Sequence, residues 1–288
     1  MKSFFIALQF LTRLKVVNQQ EWTMEDFGKS VIAFPYVGLV IGLLLAIIYG
    51  IGQYIFPTST LLLIIVISEF LITGGLHADG LMDTSDGIFS GRDREKMLEI
   101  MKDSRVGSFG VVAILFVTLL KWQLLVAVPD YYYLYIILIM MPLMSRFTLV
   151  HSICSYPYAR KTGMGQAFSE MAPKHVVLKN TIATFFMPFI IGILLGIYFL
   201  AASFMTVGNF EALYYVSLPL IATIVMVLTL INTFSMVVTY IINYLLNQYI
   251  VKQLGGTTGD TYGFVVEVSE VLLLFVYVIV LSIYMKAI

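Results

Sequence analysis

Long apolar runs alternate with short polar segments along the chain, and the polar segments are not alike. Seven apolar runs lie at about residues 31–55, 59–75, 107–128, 131–150, 180–203, 212–234 and 265–285. Each approaches the ~20 residues a helix needs to cross ~30 Å of hydrocarbon. They predict an all-α, polytopic integral membrane bundle of about seven transmembrane helices, a single membrane domain over residues 1–288. Residues 212–246 stay apolar throughout, so one tilted helix fits, and so does a span with a re-entrant continuation and a break near 232–235. Pro35, Gly38 and Pro219 mark expected kinks. The opening stretch MKSFFIALQFLTRLKVV lacks the apolar core and cleavage site of a secretory leader and reads as a short interfacial helix.

The polar segments set an expected orientation. Lys2, Arg13, Lys15 and Lys29 precede the first span, and Arg160, Lys161, Lys174 and Lys179 fall within 151–179. The loops near 56–59, 129–130 and 204–211 carry no Lys or Arg. By the positive-inside rule the N-terminus lies inside the cell membrane, and residues 74–110 and 252–271 share the cytoplasmic face. Composition agrees: 60% of residues are hydrophobic and 12% charged, against about 25% charged in soluble domains. A net charge of zero argues against a nucleic-acid partner. The single Cys154 rules out an internal disulfide and a cysteine-rich metal site, and reads as an apolar filler.

Residues 74–110, GGLHADGLMDTSDGIFSGRDREKMLEIMKDSRVGSFG, form a polar island. They hold seven of the 17 acidic residues (Asp79, Asp83, Asp86, Asp93, Glu95, Glu99, Asp103) and five of the 17 basic ones (Arg92, Arg94, Lys96, Lys102, Arg105). Asp79, Asp83 and Asp86 share one face if the second span continues through them as a helix. Hard oxygen donors at this density suit Mg²⁺ or Mn²⁺ rather than zinc. His77 points away from that face unless Gly74, Gly75 or Gly80 breaks the helix. Ser90 with Asp93 resembles a capping box for a short helix reaching about Lys102, its Met97, Leu98, Ile100 and Met101 lying on the bilayer or the bundle. Arg92, Arg94, Lys102 and Arg105 offer donors to phosphate oxygens. Gly107 and Gly110 permit close approach at the N-terminus of the third span, where the dipole favours an anion. Binding of anionic lipid would explain the arginines equally well, but not the aspartates, which lipid headgroups repel.

A second cluster, GGTTGDTYGFVVEVSE, sets Asp260, Glu267 and Glu270 at the start of the last span, behind a turn at Gly255 and Gly256 whose backbone N–H groups can reach an anion. The helix dipole alone would also favour these carboxylates. Within the spans, Glu69 and Arg146 are expected to face the interior and pair, while Lys121 either pairs or snorkels towards the surface. Carboxylates for a metal, cations for phosphates and glycines for close approach point together to phosphoryl transfer at the membrane surface.

The stretch GGLHADGLMDTSDG, followed by KDSRVGSFG, resembles the signature of the cobalamin synthase family, the adenosylcobinamide-GDP ribazoletransferases. ALQFLTRL, FPYVGLVIG and LGGTTGDTYG with EVSE resemble that family in the same order, so the likeness covers about residues 6 to 271. It implies a Mg²⁺-dependent membrane enzyme that joins adenosylcobinamide-GDP to α-ribazole or its 5′-phosphate, releasing GMP, late in cobalamin synthesis. On that reading Asp79, Asp83 and Asp86 hold Mg²⁺, and Arg105 and Lys102 stabilise the leaving phosphate. Asp103, or less favourably His77, deprotonates the attacking hydroxyl. Arg92, Arg94, Gly255, Gly256, Asp260, Glu267, Glu270 and Arg146 contact substrate, with Asp260 and Glu267 alternatively completing the metal site. Membrane lipid is an expected partner, and a second copy of the chain or other cobalamin-assembly enzymes are further candidates. Two other readings stand beside it. A CDP-alcohol phosphotransferase needs Ala-Arg a short step after Asp79-Gly80, and that pair is missing. A cation-coupled transporter would use Glu69, Arg146, Glu267 and Glu270, but most of the charge lies to one side of the membrane rather than at its midplane.

Overall fold

The computed structural model describes residues 2–17, 22–129, 131–160, 163–207 and 218–287. Asp130, Lys161, the end of the expected loop 204–211 and the start of the expected sixth span lie outside the described residues. The helices are α1 (Lys2–Leu11), α2 (Met24–Ser30), α3 (Phe34–Gly52, entered through a 3₁₀ turn, Val31–Ala33), α4 (Thr58–Thr73), α5 (Leu76–Phe89), α6 (Arg94–Ile100) and α7 (Ser108–Val126). They continue as α8 (Tyr132–Ser155), α9 (Met164–Met171), α10 (Val176–Val207), α11 (Leu218–Leu254) and α12 (Gly259–Ala287). The expected all-helical membrane architecture is present, with six segments long and apolar enough to cross a bilayer among the described residues.

The seventh expected crossing is a bent pair. α4 stops after 16 residues, and α5 leaves it at 91°. Gly74 and Gly75 make the corner, with φ of +67° and +75°, a left-handed conformation that glycine adopts without steric cost. The second span therefore does not run on through the aspartates. α5, which carries all three aspartates, turns away from α4 at this corner.

Other expected bends are absent for physical reasons. Pro35 sits in the first turn of α3, where a missing N–H costs nothing. Gly38 and Gly42 instead let α3 meet α8 backbone to backbone: a Cβ on Gly38 would overlap the Pro142 carbonyl, and one on Gly42 would lie 2.6 Å from the Ile139 Cα. Such small-residue spacing is a common way for membrane helices to pack closely. α11 passes through 232–235 unbroken, and Pro219 stands in its first described turn. α1 does more than rest on the interface, because Ile6, Ala7, Leu8 and Leu11 are buried in the bundle. The chain after it is pinned to α4 by a hydrogen bond from the Arg13 N–H to the Ile72 carbonyl, 2.8 Å.

α6 is capped by Asp93, whose carboxylate accepts from the Lys96 N–H at 2.9 Å, while Ser90 bonds back to the Gly87 carbonyl. The cap thus lies three residues later than the sequence pattern suggests. Met97 and Met101 face the protein, forming a small core with Ile88, Ile250, Leu254 and Val265. That core fastens α5 and α6 to the adjoining ends of α11 and α12.

A candidate active site at one end of the bundle

The site is built on a helix crossing that two glycines allow. A Cβ on Gly80 of α5 would stand 2.5 Å from the Asp260 carbonyl, and one on Gly263 of α12 would stand 2.7 Å from the His77 carbonyl. With no side chain at either position the helices touch along their backbones. The two chemically equipped segments, 74–110 and 252–271, thereby become one site.

A third segment joins them. Tyr158 and Thr257 form an isolated parallel bridge, through hydrogen bonds from the Ala159 N–H to the Thr257 carbonyl and from the Thr257 N–H to the Pro157 carbonyl, both 2.8 Å. This pairing uses up the glycine turn. Gly256 leaves room for the Pro157 carbonyl, and Gly255, at φ +72°, receives the guanidinium of Arg94 against its backbone. The same bridge delivers Arg160 to Asp260, with a 2.6 Å ion pair. Arg160 is a site residue that the sequence marks only as a loop charge; nothing in the local pattern shows that residue 160 will pair in space with residue 260.

Asp79, Asp83 and Asp260 concentrate negative charge here. Partial burial, then the charges of Asp79, Asp260 and Asp86, push the Asp83 carboxyl up to about 7 despite the opposing effect of Arg160. A cation would relieve this crowding, and oxygen donors of this kind suit a hard divalent ion. The described side chains are not already gathered into a three-ligand cage, so such an ion would share its coordination with a ligand or water.

Asp86 has other work in this structure. One of its oxygens accepts from the Gly107 N–H at 2.7 Å, and the other from the Gly110 N–H at 2.9 Å. The start of α7, read from sequence as a place for a substrate phosphate, is closed by the protein's own carboxylate. Gly107 and Gly110 are small because any Cβ there would run into Asp86.

Two cavities meet at Asp79. The first, about 320 Å³, is bordered by Asp79, Asp260, Arg160, Lys102 and His77 on its polar side. Phe10, Phe34 and Phe168 give it an aromatic wall, with Phe10 and Phe168 ring centres 4.9 Å apart. His77 is buried, and its Nε2 has no protein partner among the described residues. The second cavity, about 650 Å³, lies between α1, the α4–α5 corner and α7, and shares Phe10, Leu76 and Asp79 with the first.

Asp103 and Arg105 pair with each other instead, the Arg105 Nη2 standing 2.7 Å from the Asp103 Oδ2. That hydrogen bonding holds Asp103 at about 2, which makes it a poor base. Neither residue borders the two cavities. Arg92 is exposed before α6 and also stands outside both.

Arg146, Glu267 and Glu270 belong to a separate cluster inside the bundle. Arg146 bonds Glu270 and reaches Glu69 at 3.3 Å, so the expected Glu69–Arg146 pairing is present. Lys121 does not snorkel: it is buried, stands 2.7 Å from Glu267 and 3.6 Å from Glu69, and also bonds Glu270. Ser145 donates to Glu270 at 2.8 Å. Arg146 and Glu270 are each 1% exposed, which leaves them no face for a substrate.

An all-helical bundle with six apolar helices long enough to cross a bilayer among the described residues, and an acidic, cation-flanked cavity at one end, defines a polytopic membrane protein with a polar ligand site. The chain belongs to the cobalamin-5-phosphate synthase family, whose model matches residues 3–278. It is 33% identical to an adenosylcobinamide-GDP ribazoletransferase of Fusobacterium nucleatum, over 97% of this chain and 98% of that one. Proteins of the same name from Clostridioides difficile, 34% identical over 97% and 98% of the two chains, and Desulfitobacterium hafniense, 35% identical over 95% of each, are similarly close. No solved structure matches the chain.

Proposed function

We propose that this protein is an adenosylcobinamide-GDP ribazoletransferase working at the cytoplasmic face of the cell membrane. The acceptor's hydroxyl oxygen bonds to the phosphorus nearest the cobinamide. The bridging P–O bond of the diphosphate breaks, GMP departs with the bonding electron pair, and the hydroxyl proton passes to a carboxylate. The product is adenosylcobalamin, or its 5′-phosphate when the acceptor carries one.

The observation that carries this reading is the convergence of Asp79 and Asp260 with Arg160 and Lys102 around one cavity with an aromatic wall, with Asp83 close enough to feel the charges of both aspartates. Lys102 and Arg160 bind and orient the diphosphate, positioning being most of what phosphoryl transfer asks of a protein. The aromatic side receives a flat base. Asp79 borders both cavities, so it is the carboxylate in reach of a hydroxyl arriving in one and a phosphate held in the other. Asp79, Asp83 and Asp260 would hold Mg²⁺, which when bound supplies neutralisation of the diphosphate oxygens. Asp86 keeps the start of α7 in place beside them.

The test is transfer by purified protein in lipid vesicles, given adenosylcobinamide-GDP and α-ribazole 5′-phosphate. The expected products are GMP and a cobalamin phosphate in equal amounts. Release of GDP in place of GMP would place the bond cleavage elsewhere and remove this mechanism.

A further inference from the structure

Apart from Asp79 and Phe10, which it shares with the first, no residue of the second cavity has a role in the chemistry above, and it is the larger of the two. At about 650 Å³ it lies within the size range of small-molecule sites. Its polar side is formed by Gln9, Thr12 and Arg13 and its apolar side by Phe70, Leu76 and Ile114. Arg13 is held there by the α4–α5 corner. A Cβ on Gly74 would overlap the Arg13 side chain, so the glycine both turns the corner and admits the guanidinium. Among the described residues no carboxylate pairs with Arg13. Asp79 also lines the cavity, which shares it with the first.

We infer that this second cavity is the acceptor site, and that Arg13 binds a phosphate monoester on the acceptor. This rests on the transfer reaction proposed above. That reaction brings two reactants to one phosphorus, and the two cavities share Asp79 while differing in most of their other lining residues. The first has two cations and an aromatic wall, which suit a diphosphate and its base. The second has a single cation with amide and hydroxyl groups beside an apolar wall. That combination suits an aromatic riboside whose sugar carries one phosphate. A planar guanidinium matches two phosphate oxygens at once, so Arg13 determines how strongly a phosphorylated acceptor is preferred over the free riboside.

The experiment compares kcat/KM for α-ribazole 5′-phosphate and α-ribazole in vesicles, for the natural protein, Arg13→Gln and Arg13→Lys. In Arg13→Gln the preference for the phosphorylated acceptor should fall by about 10- to 100-fold, the scale of a lost charge-assisted hydrogen bond, through a raised KM for that acceptor. Arg13→Lys keeps the charge and should retain most of the preference. An unchanged ratio in Arg13→Gln overturns the assignment. So does an equal loss with both acceptors that varies with the anionic lipid content of the vesicles, which would make Arg13 a lipid-headgroup contact. A natural protein that transfers to neither acceptor overturns the reaction itself and this assignment with it.

Discussion

Asp260 and Glu270 stand about three turns apart on one helix, yet belong to charge clusters of opposite character. Glu270 lies in the bundle with Glu69 and Glu267, and two buried cations, Lys121 and Arg146, bind all three. Every partner there comes from the protein. Asp260 lies at the bundle end with Asp79 and Asp83, where Arg160 is the one cation in direct ion-pair contact among the described residues. The surplus negative charge there faces a cavity. Residue type alone does not separate structure from chemistry in this chain; what separates them is whether the opposite charge is already supplied.

The contrast can be broken from either side. The largest effect is expected inside the bundle. Arg146→Met strips Glu270 of a partner in a dry site, and unpairing a buried charge costs about 3–5 kcal/mol. Yield and melting temperature in detergent should fall sharply, and a compensating Glu270→Leu should recover part of the loss. At the bundle end, Asp79→Ala should leave the melting temperature within a few degrees while GMP release drops by about 100-fold or more. Comparable loss of fold in both variants would erase the distinction between the clusters.

Gly80→Ala should have an intermediate effect. Its methyl group would press on the Asp260 carbonyl, an overpacking cost of about 1–3 kcal/mol, and it should lower transfer more than stability because it spreads the carboxylates apart. Asp103→Asn should matter least. Its pair with Arg105 is exposed and screened by solvent, and neither residue borders a cavity, so GMP release should change by less than about 3-fold. A large loss there would return Asp103 to the chemistry.

Much of this is legible in the sequence because membrane helices announce themselves by length, and because a charge within a span needs a partner. That logic reaches the pairing of Glu69 with Arg146 and the common face of segments 74–110 and 252–271. It fails where the outcome depends on which partner arrives first in space. Asp86 has the same chemistry as Asp79 and Asp83, and only the placing of Gly107 and Gly110 beside it turns it into a helix cap. Spacing of four and three still places the aspartates on one helix, α5, but two consecutive left-handed glycines set that helix at a right angle to the second span instead of continuing it. The sequence leaves Lys121 open between pairing and snorkelling because its three carboxylate partners lie 52, 146 and 149 residues away. Arg160 is invisible for the same reason, since a two-bond bridge to Thr257 decides its place.

The decisive measurement is Mn²⁺ binding followed by electron paramagnetic resonance on the full-length protein in lipid, in the presence of adenosylcobinamide-GDP. The natural protein and Glu267→Gln should bind the ion with similar affinity, while Asp79→Asn and Asp83→Asn should each weaken binding by about 10-fold or more. Equal binding by all four proteins, or a loss confined to Glu267→Gln, would contradict the assignment of the cation to the bundle end.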